Sequence, residues 1–314
     1  MNKLVSILVI SYNSSKYILQ TLDSIKIQTY QDIELIISDD CSTDDTVKIT
    51  KEWIEKNSSR FTRTEICVNQ LNEGITRNCN RGIKLCTGHY LKLIAADDIL
   101  DYMCIENNYL ECEKHGYRVL FSNMKLFYDN DIDYSKQLNK TKYFSFNVLE
   151  QNKVLSYMNF VWAPTFFIER QLLDNLDYFD EKYKYMEDHP MWLKLTDNGI
   201  KLNFLDCTTV YYRIHINSIS DTFSNFKKDN FIINIKFYSS ERRFFFRERL
   251  KKLIKYRYFY KIYKALLYYL YKDLIILLGN KTNYLTQSVK LILILDPEVF
   301  LYQIKKLLKI NNKF

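Results

Sequence analysis

The first hundred residues alternate between short β-branched apolar runs and amphipathic stretches, and no other feature restricts the fold as strongly. Val5–Ile10 is a continuous apolar run of the kind that forms a strand buried on both faces. A helix is predicted over about residues 16–27, with Ile18, Leu22 and Ile25 on one face and Ser14 as its cap. Further strands are predicted at Ile33–Ser38, Glu65–Asn69 and Tyr90–Ile94, with helices starting at Asp44 and Ile75 between them. Strand–helix–strand units of this spacing build a parallel sheet with helices on both faces. Ligands bind such sheets beyond the carboxyl ends of the strands.

Polar and acidic residues crowd those ends. Ser11-Tyr12-Asn13 follows the first strand, Asp39-Asp40-Cys41-Ser42-Thr43-Asp44 the second, and Ala95-Ala96-Asp97-Asp98 the fourth. Two adjacent carboxylates at a strand end repel each other unless a cation or a set of donors neutralises them. Oxygen ligands suit Mg²⁺ or Mn²⁺. An isolated Asp-Asp is more often a solvated turn with a helix cap, but two such pairs on one sheet edge are harder to explain that way. The expected division is base or ribose recognition by the first pair and metal binding by the second.

Beyond residue 100 the pattern is mixed. Helices are predicted at 102–114 and 188–198, the latter closed by Gly199, and short strands at 119–122, 125–128, 201–205 and 209–214. Residues 129–150 read as an irregular loop. Glu187-Asp188 opens a helix that continues through Pro190 to Trp192, which places a carboxylate where a general base could stand against an aromatic wall. Arg77 opens the third helix, and Tyr212-Arg213-Ile214-His215 closes a strand.

Taken in order, these residues resemble the family-2 inverting glycosyltransferases of the GT-A (nucleotide-diphospho-sugar transferase) fold. The resemblance runs from Val5 to about Ser220. It rests on Ser11-Tyr12-Asn13, Ser38-Asp39-Asp40 through Asp44, Asn72-Glu73-Gly74 with Arg77-Asn78, Ala96-Asp97-Asp98, Glu187-Asp188 and Tyr212-Arg213-Ile214-His215. It implies an α/β fold with a mixed, mainly parallel central sheet. It implies that Tyr12, Asp39 and Asp40 form the nucleotide pocket and that Arg77, Asp97 and His215 hold the donor. Asp97, Asp98 and His215 would bind Mn²⁺ or Mg²⁺, and Asp188 would be the catalytic base. The implied reaction moves one sugar from a nucleotide diphosphate, usually uridine, to a hydroxyl of a glycan or lipid-linked acceptor in surface polysaccharide assembly (capsule or O-antigen). Ala95 stands where the family often has Asp, and Cys41 where it usually has Gly. The Gln-x-x-Arg-Trp motif of the processive polymerases is missing, which favours single-sugar addition.

Charge separates the rest of the chain. Residues 225–314 carry 20 Lys and Arg against 6 Asp and Glu, whereas residues 1–224 hold 25 basic and 31 acidic groups. The expected organisation is therefore a catalytic domain, 1–224, and a basic, aromatic helical extension, 225–314. Clusters such as Arg242-Arg243-Phe244-Phe245-Phe246-Arg247 suit an anionic membrane surface. Nothing beyond charge points to nucleic acid, so no such partner is expected. The apolar stretch Ala265–Leu278 is broken by Lys272-Asp273, and the first residues lack a signal segment. Seven cysteines without a C-x-x-C pair read as reduced thiols. The expected location is cytoplasmic, with peripheral attachment to the inner face of the cell membrane. Two rivals remain: a nucleotidyltransferase, which would need a Gly-rich loop where Ser11–Ser15 stands, and a non-catalytic scaffold of a glycan-assembly complex.

Overall fold

The sheet is built outward from β1 (Val5–Ser11), whose residues are almost all enclosed because strands and helices cover both sides. β2 (Ile33–Asp39) pairs parallel on one side of it and β4 (Tyr90–Ala95) on the other, and β3 (Arg63–Val68) extends the sheet beyond β2. In this computed structural model, residues 2–128, 141–156 and 159–215 are described, together with Phe245. They belong almost entirely to one unit, Met1–Leu155 with Asn159–Asp221; the second unit comprises Ser156–Met158 and Thr222–Phe314. Apart from Phe245, the basic extension and the clusters within it lie outside the described residues, as does Ser220.

Helices α1 (Ile18–Lys26), α2 (Thr46–Asn57) and α3 (Ile75–Leu85) connect the first four strands, as the apolar periodicity predicts. Ile18, Leu22 and Ile25 of α1 are fully buried in the main core with Val5, Ile7 and Val9 of β1. Ser14 does not cap α1 with its hydroxyl, which donates to the Tyr12 carbonyl; its own carbonyl accepts from the N–H groups of Tyr17 and Ile18. The N-cap of α2 is Asp45, and the carboxylate of Asp44 just before it accepts from the Thr46 N–H at 3.0 Å.

The second half departs from parallel order. The full sequence of strands across the sheet is β3-β2-β1-β4-β7-β6-β8-β5. β7 (Phe167–Glu169) runs antiparallel to both β4 and β6 (Val119–Tyr128). β8 (Asn203–Ile214) pairs parallel with β6, and the two-residue β5 (Ile99–Leu100) caps the edge antiparallel to β8. The pairs of short strands predicted at 119–128 and at 201–214 are thus two long strands. Register shifts between Ser122 and Met124 mark where the apolar pattern breaks. Helices α4 (Cys104–His115), α5 (Val148–Leu155), α6 (Arg170–Asn175) and α7 (Asp188–Asp197) complete the layers. Part of the expected 129–150 loop is ordered as a turn of 3₁₀ helix, Thr141–Ser145, leading to α5. All seven cysteines are free.

Candidate active site

The first acidic strand end is held by its neighbours. Asp39 is fully enclosed and accepts from Ser11 Oγ at 2.7 Å, Ser42 N at 2.7 Å and Ser42 Oγ at 2.6 Å. With three donors on a buried carboxylate, Asp39 braces the turn that follows β2. Asp40 accepts from Asn69 Nδ2 at 2.9 Å and from the N–H groups of Glu73 and Gly74 at 3.0 and 2.7 Å. It ties the end of β2 to the loop that opens α3. Gly74 allows this because its φ is +91° and a Cβ there would overlap the Lys184 side chain. Tyr12 stands on the same rim with about half its surface exposed (48%). Arg77 projects from α3 and pairs with Glu73 at 3.1 Å and Glu181 at 3.3 Å.

The second acidic pair splits into an inner and an outer carboxylate. Asp98 is buried: Oδ1 accepts the Arg213 N–H at 2.9 Å, and Oδ2 is enclosed with no hydrogen-bond partner among the described residues. Burial first, then the Asp97 charge beside it, pushes the Asp98 carboxyl well above the usual carboxylate range. Asp97 is partly exposed and meets His215, with Oδ2 2.9 Å from Nε2. Arg213 fixes the peptide between them. Its Nε donates to the Asp97 carbonyl at 2.7 Å, it also bonds Gln20, and its guanidinium is sandwiched between the rings of Tyr17 and Phe127 at 4.5 and 4.4 Å. The His215 ring packs on Tyr17 as well, 4.7 Å between centroids.

These groups lie on one rim. The Asp40 N–H bonds the Ser11 carbonyl on one side of β1, and the Ala96 N–H bonds the Ile10 carbonyl on the other. The two acidic strand ends therefore flank β1, about 10 Å apart at two strand spacings. Asp188 reaches the flank of this rim as the first residue of α7. The segment before it is clipped to α3, because Thr76 Oγ1 donates to the Tyr183 carbonyl and the Thr76 N–H to the Lys184 carbonyl. The Cys79 thiol, buried in α3, feels both Glu187 and Asp40. Burial raises the pKa of Asp188, while the His189 N–H and the Asn159 side chain pull it back. A carboxylate of raised pKa is the stronger base. Trp192, the expected wall beside Asp188, is instead a core residue between Phe121 and Phe166.

A divalent cation fits the Asp97–His215 pair. Oxygen and nitrogen ligands each about 2.1 Å from one ion at right angles would stand about 3 Å apart, close to the separation found. Among the described residues no group of three or more His, Cys, Asp or Glu is arranged to hold a metal. Two protein ligands with a substrate phosphate are the usual way Mg²⁺ is held, so the ion would be shared with the donor. Asn159, Lys92, Gln20 and Tyr17 carried no signal in the sequence; Arg213 lay inside a quoted motif without an assigned role.

Residues 6–177 match the family model described as glycosyl transferase family 2. The chain belongs to this family. It is a glycosyltransferase, and its α/β architecture is the GT-A fold. Among curated relatives, it is 29% identical over 220 residues to WfaP of Escherichia coli, UDP-Glc:alpha-D-GlcNAc-diphosphoundecaprenol beta-1,3-glucosyltransferase, covering 69% of this chain and 80% of that one. It is 26% identical to the uncharacterized glycosyltransferase EpsJ of Bacillus subtilis, covering 69% of this chain and 63% of that one. The fold is similar to that of S. aureus TarS 1-349 in complex with UDP-GlcNAc, at TM-score 0.57 and 19% identity over 86% of this chain and 81% of that one. The chain spans 43% of the longer TarS chain, which it matches at TM-score 0.54. No helix among the described residues is long and apolar enough to cross a membrane.

Proposed function

We propose that this glycosyltransferase catalyses inverting transfer of a single sugar from a UDP-sugar to a hydroxyl of a glycan or lipid-linked acceptor in surface polysaccharide biosynthesis. The observation that carries the reading is the pairing of Asp97 with His215 on the rim that also bears Asp40 and Tyr12, with Asp188 on its flank. WfaP is named for UDP-Glc and the TarS structure holds UDP-GlcNAc, which supports uridine as the donor nucleotide.

Tyr12 offers an exposed ring for the base. Asp40, with three of about four acceptor positions filled, has one left for a ring N–H of the base. Arg77 stands at the mouth of α3, where exchanging Glu181 for a phosphate oxygen costs little because the pair is exposed. Asp97 and His215 would hold Mn²⁺ or Mg²⁺, which when bound offsets the charge that develops on the departing diphosphate. Asp188 takes the proton from the acceptor hydroxyl as that oxygen attacks the anomeric carbon from the face opposite the diphosphate. The C–O bond to the diphosphate breaks as the new one forms, and the configuration inverts. Residues 225–314 would bring the domain to an anionic membrane surface, where a lipid-linked acceptor resides.

The test is UDP release from UDP-glucose and UDP-N-acetylglucosamine, with Mn²⁺ or Mg²⁺ and with chelator. Asp188→Asn should lower turnover 10²- to 10⁴-fold while UDP binding is kept. Equal turnover by this variant would remove Asp188 as the base. Turnover unaffected by chelator would remove the metal.

A further inference from the structure

A buried charge lies beneath the segment that leads into β7. Lys92 belongs to β4, its side chain fully enclosed, and its Nζ donates to the carbonyls of Pro164 at 2.5 Å and Phe166 at 3.4 Å. Burial pulls its pKa down to about 8, against the opposing charges of Cys104 and Asp98. An apolar side chain at this central-strand position would avoid the cost of desolvating an ammonium. What the ammonium provides in return is a fixed 3₁₀ turn, Ala163–Thr165.

The other end of that segment meets the site. Asn159 Oδ1 accepts the Val161 N–H at 3.0 Å, and Nδ2 donates to Asp188 Oδ2 at 3.0 Å. Because the amide oxygen is committed to a backbone donor, the amide is held with its nitrogen toward the carboxylate. We propose that residues 159–166 form a strap that aims the Asp188 carboxylate, with Asn159 as a positioning residue and Lys92 as the anchor of the strap. The inference rests on Asp188 being the base.

A hydrogen bond to a carboxylate favours its ionised form. Asn159 therefore works against the burial that raises the Asp188 pKa. Other titratable groups on the elements around Asp188 are Glu187 and His189 on its own stretch of chain, Cys79 on α3, Glu150 and Lys153 on α5, and Lys92 on β4. Removing the Asn159 amide changes none of these charges, so the resulting shift reports the lost bond.

The experiment is a carboxyl ¹³C titration of the full chain, with the Asp188 resonance assigned by its loss in Asp188→Asn. In Asn159→Ala the Asp188 pKa should rise by about one pH unit, the equivalent of one hydrogen bond to a charged group. UDP affinity in the presence of Mn²⁺ should be unchanged, which also reports that the variant is folded. Asn159→Ser, smaller in its disturbance, should shift the pKa in the same direction and serves if the alanine variant does not fold. Lys92→Met should raise the Asp188 pKa in the parent but not in the Asn159→Ala background, because the strap is released from β4; a rise of equal size in both would come from the lost ammonium charge and overturn the anchor. A pKa in Asn159→Ala or Asn159→Ser within 0.3 unit of the parent, roughly the resolution needed, overturns the positioning role. An unchanged pKa in Lys92→Met overturns the anchor. Retained turnover of UDP-glucose by Asp188→Asn would instead end the base reading, whatever the titrations gave.

Discussion

Arg213→Met should destabilise the catalytic domain by about 2–4 kcal/mol and weaken donor binding, and the estimate follows from its contacts. Methionine keeps roughly the length of the side chain and can still lie between Tyr17 and Phe127. It removes the donor to the Asp97 carbonyl, 2.7 Å away, and the donor to Gln20. Each hydrogen bond from a charged group is worth about 1.5–3 kcal/mol. Two ring contacts at 4.5 and 4.4 Å add about 1 kcal/mol each. Against this, the variant no longer desolvates a guanidinium, which returns several kcal/mol and brings the net to the stated range. The backbone bond from residue 213 to Asp98 survives, so the loss should be local and not a collapse of β8. Urea unfolding followed by tryptophan fluorescence gives the stability change, and calorimetric titration with UDP and Mn²⁺ gives the affinity. A stability loss under about 1 kcal/mol would show that the Arg213 contacts do not hold the Asp97 peptide in place.

Glu34→Gln should flatten the acid dependence of stability. Burial raises the Glu34 pKa, but bonds from Ser6, Thr87 and Gly88 outweigh it and the net shift is downward. A carboxyl depressed in the folded state adds stability above its unfolded pKa and loses it as pH falls through the folded value. The melting temperature of the parent should therefore drop more steeply below pH 4.5, roughly the unfolded value, than that of the variant. Gly82→Ala should cost about 1–3 kcal/mol, because a Cβ there would overlap Leu8 and come 3.0 Å from the Ser38 Cβ; a melting curve equal to the parent would show that α3 can retreat from the sheet. Tyr12→Ala should weaken UDP binding by about tenfold, the loss of one base–aromatic stack of 1–3 kcal/mol, without changing the melting temperature, since the ring is half exposed.

The half of the fold built on β1 to β4 was legible because each element there carries its own period. The apolar runs of β1 and β2 and the 3.6-residue spacing of α1 needed no distant partner to be read. The half beyond β4 was less legible for a physical reason. β7 is three residues long and passes directly into α6, too short for any alternation to register, and it exists because β4 and β6 offer open edges. The acidic pairs could be found but not resolved. Nothing in Asp39-Asp40 says that both carboxylates are buried under separate donor sets, nor in Asp97-Asp98 that only the second is enclosed; Ser11 and Ser42 hold Asp39, Asn69 with the Glu73 and Gly74 N–H groups holds Asp40, and the Arg213 N–H holds Asp98. Asn159 was invisible because its partner lies 29 residues away on another element.

The short antiparallel β7 makes a seam in the sheet. It touches β4 through three residue pairs and β6 through two, whereas β1 joins β2 through seven. Material can therefore be inserted, trimmed or exchanged on the far side of that seam while β1, β2, β3 and β4 keep their register. Changes between residues 141 and 175 would thus leave the pairing of β1 with β2 and β4 as it is.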